Sequence, residues 1–187
     1  MKMDNFPVLS TKRLQLRQLD ASDASGLFRL RSNEEYCKFT RMNRYESIEK
    51  VMDFIKRMDA AYIENASIMW TIALKGLDTH IGGVCLFNYS SDRKRAEIGY
   101  DLIPEFRGSG YVTEALNAVI PYGFNDMGFD VIFADLMPAN TKSISVLERN
   151  GFIKKSSRTD TDGNGAEIEM ALYEIEQGNP TYIQKLI

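Results

Sequence analysis

Gly108-Ser109-Gly110 stands between a strand-like run and an apolar pattern at helical spacing, a placement that suits anion binding. The first N–H groups of a helix have no partner inside it, and the helix dipole adds partial positive charge at the same end. Glycines let the loop turn tightly and leave the backbone bare to a ligand. Together these features make a cradle for phosphate oxygens. The competing reading is an ordinary strand-to-helix turn that uses glycine. Two nucleotide motifs are excluded: no Lys-Ser or Lys-Thr follows Gly110, and no third glycine completes a dinucleotide fingerprint.

Glu97 is the second residue with chemical promise. It lies in a run where Ala96, Ile98, Tyr100 and Leu102 alternate with Arg95, Glu97, Gly99 and Asp101. A carboxylate in a central strand is uncommon unless paired or working. Glu97 is therefore a candidate general base, or else half of a salt bridge with Arg95 or Lys94. The single histidine, His80, can build neither a zinc site nor a Ser-His-Asp set, and reads as a strand-edge residue. Cys37 and Cys85 are far apart, without metal-like spacing and without a base beside them, which suits free thiols in a reducing cytosol.

The elements that position these groups follow from periodicity. The alternating run predicts a strand over Arg95–Ile103, stopped by Pro104. Val112, Ala115, Leu116, Val119 and Ile120 predict the helix after the glycine loop, kinked or ended by Pro121. Upstream, Val8–Leu19 contains a strand, Asp20–Arg31 a helix capped by Asp20 or Ser22, and Glu46–Asn65 a second helix whose methionines and aromatics are core packing. Strands follow over Ile68–Leu74 and His80–Asn88, with Gly82-Gly83 marking a bulge or close backbone approach. Downstream come a strand over Asp130–Leu136, a helix over Asn140–Arg149 stopped by Gly151, and strands over Phe152–Ser157 and Ala166–Ile175. The order β α α β β β α β α β β predicts an α+β or mixed α/β layered fold. No linker divides the chain, so residues 1–187 read as one domain.

Composition narrows the partners. Net charge is −3, which gives no overall nucleic-acid signal. The N-terminal residues lack the apolar run of a signal peptide, and no stretch reaches the roughly 20 apolar residues that span a bilayer. A cytoplasmic protein is expected.

The segment around the glycine loop resembles the acyl-CoA-binding core of the GNAT acyltransferases, whose pattern is Gln/Arg-x-x-Gly-x-Gly/Ala. Glu105 replaces the Gln/Arg, and Gly108 and Gly110 hold the small positions. EIGYDL, the Pro-Glu-Phe turn, GSGYVTEAL and the later Asn-x-x-Ser-x-x-Val-Leu-Glu-x-x-Gly-Phe are similar to the Rim group, which acetylates ribosomal-protein N-termini. The resemblance is tightest from about Ile81 to Phe152. It implies a mixed sheet of about seven strands flanked by about four helices, acetyl-CoA as co-substrate, and no metal.

The resemblance also implies roles. The N–H groups of Gly108, Ser109, Gly110, Tyr111 and Val112 would hold the pyrophosphate, with Arg107 adding charge. The strand edge near Leu102 and Ile103 would pair with the pantetheine arm, where the strand splays from its neighbour. Asn140 would hydrogen-bond that arm, cap its helix, or do both. Many GNAT enzymes place a tyrosine acid for the leaving thiolate where this chain has Leu147. Ser143 is the substitute, by hydrogen bonding or proton relay, against the alternative of an ordinary first-turn serine. Tyr36, Phe39, Arg41 and Tyr45 lie where the family builds the acceptor side; a solvated loop with anchoring aromatics is the alternative.

The expected reaction is direct attack of a primary amine on acetyl-CoA in a ternary complex. The implied acceptor is a protein N-terminal α-amine. A polyamine, amino acid or antibiotic, or a non-catalytic acyl-CoA-binding module, are the rivals. A monomer or a homodimer joined through the C-terminal strands fits equally.

Overall fold

Every helix of more than one turn is placed by a central eight-stranded sheet. The computed structural model describes residues 5–39, 43–161 and 167–179. The strands are β1 (Leu9–Ser10), β2 (Leu14–Gln18), β3 (Ile68–Leu74), β4 (Thr79–Phe87), β5 (Arg95–Leu102), β6 (Val131–Leu136), β7 (Ile153–Thr161) and β8 (Glu167–Glu176). Their order across the sheet is β1-β2-β3-β4-β5-β6-β8-β7. All neighbours are antiparallel except β5 and β6.

The opening run forms two strands rather than one, which raises the expected seven to eight. Thr11 makes the break. Its N–H donates to the Leu14 carbonyl at 3.0 Å, and its Oγ1 accepts from the Leu14 N–H at 3.0 Å, closing a tight turn. Four helices have eight or more residues: α1 (Ala24–Arg31), α3 (Ile48–Ile63), α4 (Tyr111–Asn125) and α5 (Thr141–Arg149). Among the described residues between α1 and α3 there is one short helical turn, α2 (Glu34–Cys37).

Asp20, not Ser22, starts the first helical segment. Its Oδ1 accepts from the Ser22 N–H at 2.7 Å, and Asp23 returns the contact by accepting from the Asp20 N–H at 3.1 Å. Asn140 caps α5, accepting from the Ser143 N–H at 3.3 Å. Pro121 does not end α4, which continues to Asn125. The four residues after the proline include buried Tyr122, Gly123 and Phe124, so packing on the sheet carries the helix past the lost hydrogen bond.

Two apolar layers cover the two faces. One gathers Trp70, Ile98, Leu102, Leu116, Val119, Ile120, Ile132 and Leu147 beneath α4 and α5. The other gathers Leu27, Val51, Phe54, Ile55 and Met69 beneath α1 and α3. β3 is buried at every residue but the last, because both of its faces are covered, and its sequence IMWTIAL accordingly shows no alternation.

Gly82-Gly83 provides both features expected of it. The β3–β4 register slips between Ile72 and Ala73, and a side chain on Gly82 would come within 2.3 Å of the Asp101 carbonyl oxygen. His80 departs from expectation: it is 5% exposed rather than at an open edge, because α1 lies over it with Gly26 against its ring.

Candidate active site

Strand β5 divides the site. Its pairing with β6 covers only Arg95–Glu97 against Val131–Phe133, although both strands continue beyond. The two strands therefore separate after Glu97. On the other edge β5 remains paired with β4 from Glu97 to Leu102. The Ile103 N–H donates to the Ile81 carbonyl of β4 at 2.8 Å. Backbone groups alternate sides along a strand, so the Leu102 N–H is directed into the gap. The Leu102 carbonyl accepts from the Arg107 Nε at 3.0 Å. Arg107 is thus anchored on the strand end, with the rest of its guanidinium beside the glycine loop. The side chains of Leu102 and Ile103 are buried in the core.

The loop beyond the strand has the shape its glycines suggested. Pro104–Phe106 forms one 3₁₀ turn, and Gly108 and Gly110 both take left-handed φ values, 79° and 78°. Only glycine adopts that backbone freely. A side chain at Gly108 would meet no protein atom within 4 Å, and one at Gly110 would meet only the Arg13 guanidinium, at 3.6 Å. The space in front of both glycines is therefore open to a ligand. The first bond into α4 runs from the Glu114 N–H to the Gly110 carbonyl at 3.0 Å. The N–H groups of Tyr111, Val112 and Thr113 precede it and have no intrahelical partner. Bare glycine backbone leading into orphan N–H groups fits the pyrophosphate of acetyl-CoA.

Glu97 lies on the face opposite Ala96 and Ile98, in register with Phe87 on one side and Phe133 on the other. Its Oε2 accepts from the Asn88 Nδ2 at 2.7 Å. The two cations weighed as its partners are engaged elsewhere: Arg95 pairs with Glu174, and Lys94 with Asp130 at 3.3 Å. The carboxylate is half-buried and beside the point where the strands part.

Ser143 sits across the gap in the first turn of α5, half-buried. Its carbonyl accepts from the Tyr100 hydroxyl at 3.0 Å. Tyr100 thus ties β5 to α5 where β6 has separated, and burial pushes its hydroxyl pKa well above the ordinary tyrosine value. Sequence reasoning passed over this residue, because in the alternating run it reads only as one more core position. Leu147, where the family's tyrosine acid would stand, is 1% exposed and packed in the core.

On the acceptor side, Tyr36 and Tyr45 converge on Arg31. The Tyr36 hydroxyl donates to Asp101 Oδ2 at 3.2 Å, on the Glu97 face of β5. Asp101 Oδ1 accepts from the Gly83 N–H at 2.7 Å. Tyr45 accepts from Arg31 Nη1 at 3.3 Å, and its N–H donates to the Arg31 carbonyl at 3.0 Å. Arg31 itself is 5% exposed, with its guanidinium 3.8 Å from the centre of the Phe54 ring. Phe39 is exposed and joins none of these contacts. Arg41 lies outside the described residues. Cys85, beside Gly99 on this face, has its thiol pushed up to about 12 by burial, which makes it a poor nucleophile.

Known proteins agree with this geometry. Residues 13–153 match the family described as an acetyltransferase (GNAT) domain. The chain is 33% identical over 171 residues to the uncharacterized N-acetyltransferase YoaA of Bacillus subtilis, covering 91% of this chain and 97% of that protein. Mycobacterium smegmatis RimJ, solved with CoA-disulfide, superposes with a TM-score of 0.84 at 19% identity, covering 96% and 93% of the two chains. The microcin C7 self-immunity acetyltransferase MccE, solved with acetyl-CoA and AMP, superposes with a TM-score of 0.79 at 22% identity, covering 88% and 93%. The domain match, the shared sequence along nearly the whole chain and the splayed strand above a glycine cradle agree: the chain belongs to the GNAT acetyltransferase family and is an acetyl-CoA-dependent N-acetyltransferase.

Proposed function

We propose that this enzyme acetylates a protein N-terminal α-amine, with all of residues 1–187 acting as one acetyltransferase domain around the single sheet. The observation that carries the acceptor class is the open shelf beside Glu97. Phe133, in register with Glu97, and Asp135 of β6 remain half-exposed, and β7, beyond β8 at the far edge of the sheet, is exposed at every residue but Asp160. An extended peptide end can lie on such a surface, whereas a small amine gains most from an enclosed pocket. The likeness to RimJ and the Rim-like sequence motifs support the same reading.

The roles follow from placement. The N–H groups of Gly108 to Val112, with Arg107 beside them, hold the pyrophosphate. The open edge of β5 at Leu102 and Ile103 receives the pantetheine arm, and Asn140 borders it from the start of α5. Acetyl-CoA supplies the activated acyl group. Glu97 takes a proton from the attacking amine, which an α-amine near pH 8 gives up readily. The nitrogen–carbon bond forms as the carbon–sulfur bond breaks, and the Ser143 hydroxyl hydrogen-bonds the departing sulfur. The departing thiolate takes a proton from solvent through the Ser143 hydroxyl, Glu97 gives its proton back to solvent, and the enzyme releases free CoA thiol and an amide.

Free-thiol release against a panel of amines tests the acceptor. Turnover on short peptides beginning with Ser, Ala or Thr, and none on lysine, polyamines or aminoglycosides, is the expected result. The reverse pattern would replace the peptide reading with metabolite or drug acetylation, for which the likeness to MccE is the supporting observation.

A further inference from the structure

The phosphate cradle contains a charge of the wrong sign. Glu114 lies in the first turn of α4, where a carboxylate stabilises the helix but competes for the same positive end that a phosphate needs. It is four residues past Gly110, so about 6 Å along the axis from the cradle. Burial would raise its pKa, yet hydrogen bonds from Thr11 and Arg13 hold it below the ordinary value, so the group is ionised.

The turn between β1 and β2 meets this charge. The Thr11 hydroxyl donates to Glu114 Oε1 at 2.5 Å, and the Arg13 N–H donates to the same oxygen at 2.7 Å. Arg13 Nε donates to Oε2 at 2.6 Å. The guanidinium then continues into the cradle: Nη1 donates to the Ser109 carbonyl at 2.9 Å, and the plane lies 4.4 Å from the centre of the Tyr111 ring. Nη2 is the nearest protein atom to the open space in front of Gly110. The turn is itself pinned to the end of β3, where the Lys75 N–H donates to the Arg13 carbonyl at 3.0 Å.

We infer that Arg13 is a positioning residue for acetyl-CoA: it neutralises Glu114 and fixes Ser109 and Tyr111, so that the helix end stays available to the pyrophosphate. This rests on reading residues 107–112 as the cradle. The Ser109 carbonyl is held by Arg13, which turns the Gly110 N–H to the opposite side of the same peptide plane. Removing the guanidinium frees the loop and also leaves the Glu114 carboxylate with only the Thr11 hydroxyl and the residue-13 N–H, without a cation to offset its charge beside the anion.

The test is a double-mutant cycle on acetyl-CoA affinity by calorimetry, with Gly110→Val measured alongside and melting curves taken for every variant. Arg13→Ala is expected to weaken acetyl-CoA about tenfold without changing the KM of the amine. Glu114→Gln, which removes the charge that Arg13 offsets, is expected to bind at least as tightly as the parent. In the double variant Arg13→Ala/Glu114→Gln, most of the lost affinity should return. Arg13→Lys, which keeps the charge without the fork, should fall between parent and alanine. Unchanged affinity in Arg13→Ala, or a double variant no better than Arg13→Ala, would overturn the inference. If Gly110→Val binds normally, the cradle reading fails and the inference with it. If Gly110→Val loses binding while Arg13→Ala does not, the inference fails alone.

Discussion

The two faces of strand β5 were built from one alternating run, yet they do opposite things. Ala96, Ile98 and Leu102 are all under 8% exposed and join the apolar layer beneath α4. On the other face, Glu97 bonds Asn88, Gly99 leaves room for Cys85 and Phe87, and Asp101 bonds Tyr36 and the Gly83 N–H. One side gives the strand its place, and the other carries the groups proposed for its chemistry. A period of two separates them without any change in backbone. Beyond β5 the same side of the sheet is also uneven. Near α1 it carries a closed ion pair: Arg17 grips Asp23 with two bonds of 2.8 Å, and Asp23 is 2% exposed. Near β6 it carries a carboxylate that solvent and substrate can reach. Burial and pairing make the first structural; partial exposure beside the gap suits the second to the proton transfer proposed for it.

Four substitutions can break or sharpen that contrast. Glu97→Gln should reduce kcat about 10²–10⁴-fold while leaving the acetyl-CoA KM and the melting temperature near the parent values. A profile of thiol release from pH 6 to 9 checks it, and intact turnover across that range would make Glu97 one more structural carboxylate. Asp23→Asn should do the reverse, costing about 1–3 kcal/mol of stability in chemical denaturation, because it removes the charge behind two bonds to Arg17, which keeps only the exposed Asp78 and Asp20 as anionic partners. Burial alone would raise the Asp23 pKa, but the Arg17, Asp20 and Thr71 contacts outweigh it and hold it low. Its stabilisation is therefore complete above the unfolded carboxyl range, near pH 4, and is lost as pH falls below it. The asparagine variant should show a flatter acid limb in the denaturation midpoint.

Gly110→Val should weaken acetyl-CoA about tenfold to a hundredfold, since a β-branched residue at φ 78° carries about 1–3 kcal/mol of strain in the bound loop shape. Isothermal titration reads this directly. Ser143→Ala should have the smallest effect, about fivefold in kcat, equivalent to one hydrogen bond of about 1 kcal/mol. The variant keeps the backbone bonds to Asn140 and Tyr100, so any change seen in single-turnover kinetics belongs to the hydroxyl. Full turnover would return Ser143 to the role of an ordinary first-turn serine.

Local features of the sequence carried far. Period-two alternation located β5, the glycines with the following apolar stripe located the cradle and α4, and Asn140 announced its own cap. Each is decided within a few residues by sterics, hydrogen bonding or helical spacing, so one sequence suffices. The same local logic misjudged what packing overrides. It offered an end to α4 at Pro121 as one alternative to a kink, and the helix runs on to Asn125; it also left His80 at an edge that α1 covers. It also joined β1 to β2, because the Thr11 turn closes through a side-chain bond that periodicity does not see.

Nothing in the chain order could show that β5 pairs with β6 for only three residues, that Tyr100 would reach Ser143, or that Arg13 would meet Glu114 a hundred and one positions away. Those relations depend on where distant elements cross, and that is fixed by burying two apolar faces at once. Residue type and spacing alone mark the candidates for holding an acyl-CoA and taking a proton. Only the tertiary structure decided which of them meet, because side-chain chemistry is local and the distances between side chains are not.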